Sequence, residues 1–97
     1  MTSPSRVERL RQKLDQAARA RERIDTAERE RWDSTACDQA FRRHHELVME
    51  AAAIHCQIMG QPDRVGLLIN WRSYYPRTVE TEVNLQRALK RHEETAA

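Results

Sequence analysis

Residues 32–62 read WDSTACDQAFRRHHELVMEAAAIHCQIMGQP, and this run decides the fold because it holds a whole helix with its start and its stop. Asp33, Ser34 and Thr35 offer three successive side chains able to accept from the free N–H groups of a helix start, and Asp38 follows Thr35 by three. Gly60 can adopt the left-handed conformation that closes a helix, and Pro62 lacks the N–H needed to continue one. Between these signals Cys37, Phe41, His44, Val48, Ala51, Ala52, His55 and Met59 recur at helical spacing and share one stripe. The spacing predicts a helix over 35–59.

Toward the N-terminus, either Ser3 caps a helix with Pro4 in its first turn or Ser5 and Glu8 form a capping box. Val7, Leu10, Leu14, Ala17, Ala18, Ile24 and Ala27 then form a thin apolar stripe interrupted by Arg21 and Glu28. Pairs such as Asp15 with Arg19 and Arg21 with Asp25 support the exposed side. This predicts a helix over 4–32 with much solvent and little core, whose stripe a second copy of the chain would complete. Two helices of this length make an antiparallel hairpin about 35 to 40 Å long.

The C-terminal third holds a short apolar run, Val65, Leu67, Leu68, Ile69 and Trp71, within 63–72. So brief a run does not settle its own period, but a lone strand would lack a partner, which favours a short buried helix. A last helix over 77–93 is expected to bury Val79, Val83, Leu85 and Leu89. The whole reads as a single all-α domain over 1–97: a long antiparallel helical hairpin, a short buried segment and a C-terminal helix, completed by dimerisation. Only two glycines and three prolines break the chain, which agrees with long helices.

With 97 residues and 39% hydrophobic content, much of it alanine, the core is modest and a partner would help it. The net charge of +2 is too small to demand a nucleic acid or a membrane. Residues 1–23, however, carry seven basic side chains against three acids, an excess of +4. All basic residues except Lys13 and Lys90 are arginine, which suits bidentate contact with carboxylate or phosphate but also follows from GC-rich codon usage. No apolar run approaches a membrane span and no hydrophobic signal core opens the chain, so no membrane association is expected. Cys37 and Cys56 lie roughly 28 Å apart along one helix, too far to bridge, and read as free thiols of a reducing, cytoplasmic setting.

The histidines of the 35–59 helix are poorly spaced to share a metal ion within one chain. His44 and His55 stand roughly 16 Å apart along the helix, while a zinc ligand sits about 2 Å from its ion. His44 and His45 point about 100° apart. A zinc site would have to recruit His92 or a second chain, so no metal and no cofactor is expected, and His44 and His55 read instead as hydrogen-bonded residues of a helix interface. Catalysis finds no support: there is no phosphate loop, nucleophile elbow or paired-carboxylate motif.

Two surfaces remain. The segment WRSYYPR places Trp71, Arg72, Tyr74, Tyr75 and Arg77 together, the residue types that most often anchor protein interfaces. The competing structural reading has Trp71 and Tyr74 pinning the last helix while Tyr75 leads into the Pro76 turn. Arg6, Arg9, Arg11, Lys13, Arg19 and Arg23 could track phosphates and Arg42 with Arg43 could extend that surface, although interleaved acids favour a solvated face. The leading expectation is a non-catalytic protein-binding module acting as regulator, adaptor or inhibitor, a class that includes small phage- or plasmid-encoded blockers of host enzymes. The alternative is a helical nucleic-acid binder using the arginine-rich first helix.

Overall fold

The computed structural model describes residues 4–62 and 72–96, and these form three helices with no strand. Helix α1 runs Arg6–Arg29, α2 runs Ser34–Met59 and α3 runs Tyr75–Ala96. The expected short segment 63–72, with Val65 to Trp71, lies outside the described residues except for Arg72, which belongs to a turn leading into α3.

Ser5 caps α1, its Oγ accepting from the Glu8 N–H at 3.1 Å. The helix closes three residues sooner than expected, because Arg31 takes the left-handed conformation at φ 54° and turns the chain. The Trp32 N–H then donates to the Ala27 carbonyl at 2.9 Å and the Arg31 N–H to the Glu28 carbonyl at 3.4 Å, the two bonds of a Schellman turn. Trp32 receives the Arg23 guanidinium over its ring at 4.8 Å, which braces the corner. Asp33 caps α2, accepting from the Ala36 N–H at 2.9 Å, and Gly60 closes it at φ 67°.

α1 and α2 form the hairpin, and the stripe of α1 is covered within the single chain. Leu10, Leu14, Ala17, Ala20, Ile24 and Ala27 are all buried, chiefly against Ala40, Phe41, Leu47, Val48, Ala51 and Ile54 of α2. The expectation of little core on α1 is thereby corrected. Facing alanines let two helix axes approach closely, so a narrow stripe suffices to exclude water. The stripe therefore gives no reason of its own to invoke a second copy.

α3 lies across both helices and adds Leu85, Ala88 and Leu89 to the core. Its inward face runs Thr78, Glu82, Leu85, Leu89, so Val83 is turned out and 43% exposed, and Val79 is only half-buried. The expected burial of Val83 is corrected for that reason: a carboxylate with partners on the other helices occupies the inward position beside it. Met59 is likewise 51% exposed, since Arg6 at the start of α1 lies over the Gln57 carbonyl and Met59 extends past that end.

Candidate functional site

The chemistry of the chain collects in the seam between α2 and α3, and all four of its histidines lie there. In the middle of the seam the His44 Nε2 stands 2.8 Å from Glu82 Oε1, with the two side chains 0% and 2% exposed. A carboxylate only accepts, so Nε2 carries the hydrogen. From α1, Arg21 brings its Nε to 3.3 Å from the same oxygen, an ion pair without hydrogen-bond alignment. Arg21, expected to interrupt the stripe, is thus the third corner of a charge cluster built from three helices. The cluster is incompletely satisfied, for His44 Nδ1 and Glu82 Oε2 are buried without hydrogen-bond partners among the described residues.

One turn away, the Thr78 hydroxyl donates to the Tyr74 carbonyl at 3.0 Å and lies 3.2 Å from His45 Nδ1. Its single proton being used, the hydroxyl accepts from His45, which fixes that ring with its hydrogen on Nδ1. Burial and the neighbouring His44 hold His45 below the ordinary histidine pKa, against a smaller opposing pull from Glu46. Toward the far end of the seam, His55 Nδ1 faces His92 Nε2 at 3.2 Å. Burial, His92 and Arg91 hold His55 below its ordinary value as well. The interface role expected of His44 and His55 is thus realised, while the burial of His45 and Glu82 was not anticipated.

The aromatic segment divides. Trp71 lies outside the described residues. Tyr75 is the first residue of α3 and half-buried, its ring edge-on to Phe41 at 5.0 Å and beside His44 at 5.4 Å. Burial, with Asp25 nearby, raises its phenol above the usual range. Tyr74 is 39% exposed, so the pinning role expected of Tyr74 belongs to Tyr75, because the helix starts at Tyr75 and turns that ring inward. Arg72 pairs with Asp38 at 3.3 Å and lies over Phe41, and Arg77 is exposed. Replacing Tyr75 by Ala is expected to destabilise the fold by about 2 kcal/mol in urea denaturation. A loss below about 0.5 kcal/mol would return Tyr75 to a surface role.

The basic residues of α1 do not act as one row. Arg11 reaches Glu93 of α3 at 3.9 Å, Lys13 reaches Glu50 of α2 at 2.8 Å, and Arg6 donates to the Gln57 carbonyl at 3.5 Å. Arg9 is exposed. Arg19 and Arg23 line an open groove with Gln16, Ala20, Arg43 and Leu47, so its lining comes from α1 and α2. Arg43, expected with Arg42 to extend the basic surface of the first helix, joins Arg19 and Arg23 in this groove once the turn at Arg31 has closed the hairpin.

Among the described residues no group of three or more His, Cys, Asp or Glu side chains is placed to hold a metal ion, and no helix is long and apolar enough to cross a membrane. Cys37 and Cys56 are free thiols. Compared with known proteins, the chain matches no family model, no curated protein and no solved structure.

Proposed function

We propose that this chain is a small non-catalytic protein-binding module, acting as a regulator, adaptor or inhibitor, and that the α1–α2 groove receives an acidic, partly apolar segment of its partner. The observation that carries the reading is the groove, lined by Arg19, Arg23 and Arg43 over the buried Ala20 and Leu47. Arginine forks pair bidentately with carboxylates, and the aliphatic stems of the three arginines offer apolar contact that a phosphodiester backbone would leave unused. The buried middle of the seam, around His44 and Glu82, serves by contrast to position α3.

Selection of displayed random peptides on the purified protein tests this. Enriched sequences should combine Asp or Glu with Leu, Ile, Val or Phe, and Arg19→Glu with Arg43→Glu should weaken their binding about tenfold or more. Tyr74→Ala with Arg77→Ala should leave it unchanged; the opposite pattern would move the site to the start of α3. The nucleic-acid reading is favoured by the same arginines together with Arg9. It would replace the first if no peptide is enriched and mixed-sequence DNA or RNA binds with steep salt dependence between about 50 and 300 mM.

A further inference from the structure

We infer that His55 and His92 form a two-histidine clip for a first-row divalent ion of imidazole affinity, typified by Zn²⁺, which ties α2 to α3. The inference is independent of the groove. It rests on the spacing of two ring nitrogens that belong to different helices and lie 37 residues apart in sequence: His55 Nδ1 and His92 Nε2 are 3.2 Å from one another. Zinc binds imidazole nitrogen at about 2.0 to 2.1 Å with tetrahedral angles, which places two such ligands about 3.3 Å apart. The pair thus already stands at the bite of a tetrahedral centre.

The ring planes are inclined at 50° with centroids 5.3 Å apart, so the rings meet through their edges and do not stack. Both are half-buried, which leaves a path for the ion from solvent. Ligation needs both facing nitrogens free of hydrogen. The hydrogen now between the rings moves to the outer nitrogen of the ring that carries it, a change of tautomer that releases no net proton when both rings are neutral. With no third protein ligand among the described residues, water completes the coordination, and the site is open and of moderate affinity.

Thermal melts at pH 7.5 in chelator and in about 1 mM ZnCl₂ test the clip. Zinc should raise the midpoint of the unsubstituted protein by about 3 to 6 °C. The rise should vanish in His55→Gln and in His92→Gln, and should persist in Cys56→Ala, which removes the adjacent thiol. No rise in the unsubstituted protein, a rise surviving either histidine substitution, or a rise lost with Cys56 would overturn the inference. A measurement without substitution serves if a variant fails to fold: long-range ¹H–¹⁵N spectra should show zinc shifting His55 Nδ1 and His92 Nε2 while His44 and His45 stay in place. Shifts confined to the other two histidines, or none at all, would refute the site.

Discussion

Acidifying the protein from pH 7.5 to 5.5, with chelator present, is expected to lower its melting temperature. The effect originates at His45, which is 1% exposed and donates from Nδ1 to Thr78 across the α2–α3 seam. In the unfolded chain a histidine takes up its proton near pH 6.5, whereas in the fold burial and His44 push that event lower. Between the two values the unfolded state holds the extra proton, so acid favours unfolding. Stability is whole above about pH 6.5 and falls below it, until the folded-state value is passed. His55, shifted in the same direction, adds to the fall. His45→Asn should flatten the dependence while keeping a donor toward Thr78. A midpoint that stays level or rises in acid, or a slope unaltered in both His45→Asn and His55→Gln, would rule this account out.

Removing the carboxylate at the centre of the seam should have the largest effect of any single substitution. Glu82→Ala leaves the His44 Nε2 hydrogen buried without its acceptor and takes from Arg21 its partner on α3. Breaking a buried pair from one side costs about 3 kcal/mol or more. Arg21 can swing its half-exposed side chain into water, which keeps the loss near the lower end of that range. Replacing both buried partners, His44→Leu with Glu82→Leu, should recover most of the loss, because two apolar side chains leave no polar group stranded. Urea denaturation of the two variants measures this difference. Equal losses would mean that shape, and not the stranded imidazole, accounts for the cost.

The sequence made α2 legible end to end, since Asp33 and Gly60 mark its limits with side chains whose chemistry acts locally. α1 was legible as a helix but misjudged as a packing element: a count of apolar residues does not reveal how closely Ala17, Ala20 and Ala27 allow another helix to come. On α3, hydropathy alone turns Val79 and Val83 inward. The actual face puts Thr78 and Glu82 there, and Glu82 is tolerable only because His44, 38 residues away, and Arg21 on α1 converge on it. That convergence is a tertiary fact which no local window contains. The same holds for the groove, where Arg43 joins Arg19 and Arg23 only after the hairpin has closed. His44 and His55 were readable as seam residues from their spacing, whereas His45, off that stripe, was not.

The corner at Arg31 also sets an order of assembly. Only residues 30–33 separate α1 from α2, so the hairpin closes through contacts near in sequence and loses little chain entropy in doing so. α3 must instead be brought back over much longer loops, and its buried carboxylate can be desolvated only onto a template that already presents His44 and Arg21. The charged seam is therefore a late event on the folding route. Substitutions at Glu82 should quicken unfolding and leave the folding arm of a chevron nearly unmoved, whereas a change among the buried hairpin residues Leu14, Ala17, Val48 and Ala51 should slow folding itself.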